Sequence, residues 1–303
     1  MRVQGQITGT LLVAGSAMLF ASKGLFAKAL YSRGVGYDLL VTVRSVLALP
    51  LFWIFVSARQ GLGEVRQTPW ALAAIASFAG FICYTVGALL DFYALTMIDV
   101  SIERVLLFSY PAYVVLFTAL LTRKLPTPGI VGAAAVTYVG IFFVMGGFDV
   151  TALRGNFVGA SYVLMAAVTT ATYFMLAERY IPRLGSARFT LFAMTASSVA
   201  LVVHFLMNRS VYELASVTPA GWLLLIGVAI VCTFFPALMQ TYGVQRLGAQ
   251  RAAVVSSTGP PTTIILGWLF LGESLSAYQA LGVALILGGI IIVDLVRTAR
   301  RAT

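Results

Sequence analysis

Apolar residues run along this chain in blocks of about twenty, separated by short polar or Pro/Gly-marked connections. A helix rises about 1.5 Å per residue, so each block is long enough to cross a hydrocarbon layer of roughly 30 Å. The pattern predicts ten spans, at 7–30, 38–57, 70–95, 101–121, 129–147, 155–178, 188–208, 219–242, 249–271 and 276–296. The blocks are unbroken rather than alternating, which excludes the strands of a transmembrane β-barrel. No water inside a bilayer serves free N–H and C=O groups, so each span must be helical. "LPTPG" (125–129) and "IPRLG" (181–185) mark two of the connections, and no soluble domain is inserted.

The pattern also repeats. A shift of 150 residues lays "YPAYVVLFTALLTRKLPTPGIVGAAAVTYVG" (110–140) over "PPTTIILGWLFLGESLSAYQALGVALILGGI" (260–290). Pro111 meets Pro261, Leu121 meets Leu271, Gly132 meets Gly282 and, earlier, Gly9 meets Gly159. Two units follow, 1–150 and 151–303, of five spans each. Five is odd, so the second copy enters the membrane from the opposite side. Inverted repeats of this kind characterise alternating-access transporters, with the substrate site near the pseudo-twofold axis at mid-depth. The fold class predicted is therefore an all-α integral membrane protein, with ten transmembrane helices as two inverted five-helix repeats around a central cavity.

Composition sharpens this picture. Of 303 residues, 60% are hydrophobic and 10% charged, too few polar groups to cover a soluble domain. The net charge of +10 is explained by where the cations fall. Thirteen Lys and Arg lie at the N-terminus, the even-numbered connections and the C-terminal tail, against five in the odd-numbered connections. Positive loops stay inside, so both termini are expected in the cytoplasm. The first apolar run continues past Phe20 to Leu30 and is taken as a retained span rather than a signal peptide. Cys83 and Cys232 fall mid-span and read as free thiols. No nucleic-acid motif, zinc ligand set or GxxxxGK[ST] occurs, so no nucleic-acid partner, metal, cofactor or own ATPase is expected.

The stretch 246–293 resembles the EamA repeat of the drug/metabolite transporter superfamily. The resemblance rests on small residues before a proline, an apolar run, "LGE" (271–273) and a Gly-bearing last span. The first half departs from it, with "LTRK" (121–124) in place of Gly-Glu, and with Glu103 and Arg104 where small residues are common. Within the superfamily the chain is most similar to YddG-type exporters of aromatic and other apolar amino acids. The resemblance implies a monomeric basket of helices that exports metabolites across a bacterial inner membrane.

Ionisable residues inside a bilayer are costly and usually face a cavity or a partner. Here they are Lys23, Arg44, Asp91, Glu103 and Arg104, all toward the expected outer side. Helical spacing groups Ser16, Phe20 and Lys23 on span 1, and Phe81, Tyr84, Ala88 and Asp91 on span 3. It groups Glu103, Leu107 and Tyr110 on span 4, Tyr162, Thr169 and Tyr173 on span 6, and Phe235, Met239 and Tyr242 on span 8. Ordinary helix packing is the competing reading for each aromatic. A zwitterion needs a donor for its carboxylate, Lys23 or Arg44, and an acceptor for its ammonium, Asp91 or carbonyls freed by proline. Pro111, Pro236, Pro260 and Pro261 are candidate hinges, because proline leaves the carbonyl four residues back unbonded. Glu103 and Arg104 are candidates for an outer gate. The competing reading is that Lys23, Arg44, Asp91 and Glu103 pair with one another to neutralise charge and staple the outer gate. His204, Glu178 and Glu273 read as structural, Trp70 and Trp222 as interface anchors. Spans 5 and 10 carry Gly-rich stripes and are expected to pack together, or against neighbours, away from the site.

The function expected is a secondary transporter exporting amino acids with bulky apolar or aromatic side chains, with the amino acid and membrane lipid as partners. Coupling to protons and facilitated transport both fit the sequence. The alternative is an antiporter of sugar phosphates or nucleotide sugars, or an exporter of another metabolite or drug. An enzyme is disfavoured, since neither HExxH nor GxSxG occurs.

Overall fold

The computed structural model describes residues 2–110, 112–114, 116–117, 128–144, 148–247, 252, 255–256 and 258–302. The first crossing is α1 (Arg2–Ala21) continued, after a break at Ser22, by α2 (Lys23–Tyr31). Next come α3 (Tyr37–Gln60), the short α4 (Leu62–Arg66) and α5 (Trp70–Gly80). α5 runs through a π-helical stretch (Phe81–Gly87) into α6 (Ala88–Ala94), followed by α7 (Val100–Leu107) and α8 (Pro128–Val144). The second half holds α9 (Val150–Leu184), α10 (Ser186–Asn208) and α11 (Pro219–Ala229). A second π-helical stretch (Ile230–Phe234) leads into α12 (Phe235–Leu247), then α13 (Gly259–Leu271) and α14 (Ala277–Ala302).

Among the described residues, six helices are long and apolar enough to cross a membrane: Gln6–Tyr31, Tyr37–Gln60, Trp70–Ala94, Arg154–Leu184, Ser186–Asn208 and Pro219–Leu247. Two shorter apolar helices, Gly259–Leu271 and Ala277–Gly289, follow. Large apolar side chains stand exposed along these helices, among them Leu11, Ile54, Phe78, Val203, Leu223 and Leu269. Lysine, arginine and carboxylates are buried instead, at Lys23, Asp38, Arg44, Asp91, Glu103 and Arg104. Such an inverted surface is stable only against lipid.

Several boundaries differ from the sequence expectation, and two differences have a local cause. The helix predicted to end at 178 continues through Pro182 to Leu184. Proline removes one donor, and this near a helix end does not stop the coil. The reversal is made by Gly185 at φ +81°, a conformation that side chains other than glycine rarely adopt. Pro260 and Pro261 do not kink a continuous span. They occupy the first turn of α13, where a missing N–H costs nothing.

The two halves repeat a contact. Gly9 of α1 lies so close to Leu247 that a Cβ would sit 2.9 Å from its Cγ. Gly159 of α9, its counterpart 150 residues on, is held in the same way against Ile98 and Met97, at 2.6 Å and 3.3 Å. The two π-helical stretches also fall at nearly equivalent places in the two halves. α8 packs along α14, and there a Cβ on Gly282 would meet the Gly140 carbonyl at 2.6 Å.

α7 receives its N-terminal cap from a distant part of the chain. Asp99 precedes it but makes no side-chain cap. The Glu273 carboxylate accepts from the N–H groups of Val100 (2.9 Å) and Ser101 (3.0 Å) and from the Ser101 hydroxyl (2.7 Å). A carboxylate satisfies the free donors of a helix start and complements its dipole. Gly267 leaves the room this needs, since a Cβ there would lie 2.7 Å from the Glu273 oxygen.

Candidate functional site

α1, α2, α3, α6, α7, α9, α12 and the two π-helical stretches line a cavity of about 160 Å³. A cavity of roughly 150 Å³ accommodates a benzene ring, so this one suits a small organic molecule. Of the residues singled out from sequence, Phe20, Lys23, Arg44, Tyr84, Asp91, Arg104, Tyr110 and Tyr173 line it. These come from helices far apart in the chain.

The charges sit together. Lys23 Nζ forms an ion pair with Asp91 and a second with Glu103, at 3.2 Å. The ammonium also lies 5.2 Å from the centre of the Phe92 ring. The Arg44 guanidinium stacks over the same ring at 4.6 Å and donates from Nη1 to the Thr233 hydroxyl at 3.3 Å. Thr233 is placed by the second π-helical stretch, where its hydroxyl donates to the Val228 carbonyl five residues back, at 3.1 Å. Widening of the helix opens that carbonyl, and Pro236, which cannot donate to Cys232, favours the widening. Arg104 donates to the Phe20 carbonyl. Phe20 is in the last turn of α1, where the break at Ser22 leaves carbonyls free, and a cation complements a helix C-terminus.

Three buried cations thus meet two carboxylates. Arg44 has no carboxylate within ion-pair distance among the described residues, and its Nε has no partner. Asp91 Oδ1 is also buried without a partner. The mutual pairing of Lys23, Arg44, Asp91 and Glu103 weighed from sequence is therefore incomplete: Lys23 serves both carboxylates, while Arg44, like Arg104, has none within ion-pair distance among the described residues. Unpaired polar atoms of this kind are expensive where nothing replaces the missing partner.

Aromatic rings form another part of the wall. Tyr84 and Tyr173 meet edge to face at 5.1 Å, and Tyr110 stacks on Phe174 at 5.0 Å. Cys83 and Cys232 are free thiols and both line the cavity, one from each π-helical stretch. Phe92, Thr233, Phe174 and Gln240 also line it and were not identified from sequence. Their types are ordinary for a helix interior, so only the packing singles them out.

Other expected lining residues point elsewhere. Phe81 is 42% exposed, outside the cavity. The π-helical turns of 81–87 take more residues per turn, so Phe81 leaves the face it would share with Tyr84 in an α-helix. Tyr162 packs edge to face on Tyr93 at 5.2 Å. Phe235 is half exposed beside Phe234. Met239 fills the space against Gly15, and Tyr242 meets Phe55. Pro236 is buried, its carbonyl accepting from the Ser16 hydroxyl at 2.9 Å. Pro111 and "LTRK" lie outside the described residues. Glu103 and Arg104, expected at a gate, lie inside the charge cluster, Glu103 with no exposed surface. Among the described residues, neither α8 nor α14 lines the cavity.

A model of the EamA-like transporter family matches residues 7–146 and again 157–294. The uncharacterized transporter YcbK of Bacillus subtilis strain 168 is 31% identical over 93% of this chain and 91% of its own length. An uncharacterized transporter of Archaeoglobus fulgidus is 25% identical over 94% of this chain and 95% of its own. A solved crystal structure superposes with a TM-score of 0.68 over 97% of this chain and 98% of that one, at 19% identity, a likeness of fold. With matches in both halves and apolar helices throughout, the chain belongs to the EamA-like transporter family and is a multi-pass membrane transporter rather than an enzyme.

Proposed function

We propose that this transporter exports amino acids, favouring bulky apolar and aromatic side chains, across a bacterial inner membrane by alternating access, as a monomer with both termini in the cytoplasm. One observation carries the reading. Arg44 and Asp91 each present a buried polar atom without a partner, a donor and an acceptor, and both line a cavity whose wall also carries Phe20, Tyr84, Tyr110, Tyr173 and Phe174. A zwitterion supplies what both lack. Its carboxylate takes the Arg44 guanidinium and its ammonium takes Asp91 Oδ1, while its side chain rests among Phe20, Tyr84, Tyr110, Tyr173 and Phe174. Charge-assisted hydrogen bonds of this kind are about twice as strong as neutral ones.

The test is uptake of labelled phenylalanine by proteoliposomes, with a panel of amino acids as competitors. Saturable flux inhibited by leucine and tyrosine but not by aspartate is expected. Flux no higher than in empty vesicles for the whole panel would overturn the reading. The excess of cations favours a second reading, a small organic phosphate, and inhibition by organic phosphates in the same assay would select it.

A further inference from the structure

Glu273 lies outside the cavity, yet it holds the helix that brings Glu103 and Arg104 to the charge cluster. Its backbone is fixed first. Gly272 ends α13 at φ +67°, and the Glu273 N–H donates back to the Gly267 carbonyl at 3.2 Å. From there the side chain reaches across from the second half of the molecule to the start of α7 in the first. Both carboxylate oxygens are used, on two amides and one hydroxyl. The turn before α7 is held from another side by Lys28 of α2, which donates to the Ile98 carbonyl at 2.9 Å.

What this clasp places is Val100. Val100 has no exposed surface and belongs to an apolar cluster with Ala27, Leu30, Phe92 and Leu95. It stands one turn before Glu103 and Arg104, on the same face of α7. Opposite it, α2 carries Gly24 beside Lys23, and a Cβ on Gly24 would collide with the Val100 methyl groups. Val100 thus fills the space between the charge cluster and this end of the molecule. A charge-assisted clasp is strong, and it opens without breaking a covalent bond. Shifted by 150 residues, Glu273 corresponds to Arg123, a side chain with donors and no acceptor, which cannot hold a helix start in this way.

We propose that Glu273 is the positioning residue of a gate at this end of the cavity, a role that rests on the alternating access proposed above and not on the identity of the cargo. With the clasp made, the start of α7 is pinned to α13 and Val100 seals the cavity against the Glu273 face of the membrane. Release of the three hydrogen bonds frees the start of α7 to swing from Gly24, and the cavity opens to that face. The clasp ties one half of the molecule to the other, so it is broken when the halves rock apart and remade when they return.

Cys83 supplies a native probe, since it lines the cavity and is partly exposed. Its labelling by a membrane-impermeant maleimide is followed in Cys232→Ser, without substrate, in vesicles of either orientation. Ser274→Cys, exposed beside Glu273, identifies the Glu273 face in a variant without the native thiols. With the clasp intact, Cys83 is expected to react faster from the opposite face. Glu273→Gln turns a donor toward the start of α7. Gly267→Ala leaves the carboxylate in place but brings a Cβ to 2.7 Å from its oxygen. Either change should raise labelling from the Glu273 face about tenfold, the equivalent of one charged hydrogen bond, with no rise from the opposite face. An unchanged rate from the Glu273 face in both variants overturns the proposal. So does a rise of equal size from both faces, which general loosening would give. Equal labelling from both faces with the clasp intact would overturn alternating access, and the gate with it.

Discussion

Arg44 shows how one side chain is held ready for a ligand. Its planar guanidinium lies on the Phe92 ring, with one nitrogen tied to Thr233 and Nε free. Lysine carries the same charge but neither the plane nor the fork. Arg44→Lys is therefore expected to raise KM for phenylalanine about tenfold or more with a smaller change in maximal rate, the loss of roughly 1.5–3 kcal/mol for a charged hydrogen bond; uptake kinetics in proteoliposomes measure it. At the mouth of α7, Asp99 is a different case. Half-burial and the nearby Glu273 carboxylate push its carboxyl above the usual range. A raised value means the folded state binds the proton more tightly than the unfolded one, so stability falls as pH rises through that range. Asp99→Asn should raise the melting temperature in detergent at neutral pH. The gain should vanish below the ordinary carboxylate range, where Asp99 is protonated in both states. A gain that persists in acid would point to a cause other than charge.

At the scale of elements, the apolar period was enough to place most helices. It also marked the Gly-bearing spans, α8 and α14, as scaffold. What it lacked was the sign that two crossings widen into π-helix. No residue type demands such a stretch, and it arises where packing opposes the regular i→i−4 ladder. The displacement of Phe81 follows from it, as does the placement of Thr233 beneath Arg44. The glycines show a similar limit. Gly132 and Gly282 are counterparts in the two halves, yet only Gly282 meets backbone, at the Gly140 carbonyl and the Val144 amide, both 2.6 Å from a would-be Cβ. Gly132 is exposed. Gly282→Val is expected to separate α8 from α14 and cost about 1–3 kcal/mol, whereas Gly132→Val should stay within about 0.5 kcal/mol. Thermal unfolding of both variants in the same detergent compares them. Equal melting temperatures would mean that this crossing contributes little to stability.

For the whole molecule, the apolar surface and charged interior describe a body that is stable in lipid and hollow near its charges. The proposed orientation, with both termini in the cytoplasm, is argued from loop cations. A fluorescent protein fused after Thr303 should fold and glow in the cytoplasm, and an alkaline phosphatase fused there should stay inactive. The opposite pair of results would reverse the orientation and place Glu273 and the Asp38–Arg209 ion pair on the inner side.

The membrane environment, the run of helices, the internal duplication and the residue types able to carry charge in the interior all followed from the sequence. These depend on composition and period, which are local and need no partner to be read. Which charges meet was decided only in three dimensions. Lys23 finds Asp91 and Glu103 across separations of 68 and 80 residues, and Arg44 finds Thr233 across 189. Pairing at such distances is set by how helices pack and where they widen. The unpartnered donor on Arg44 and the unpartnered oxygen of Asp91 are therefore properties of the fold, and the proposed chemistry of the site rests on them.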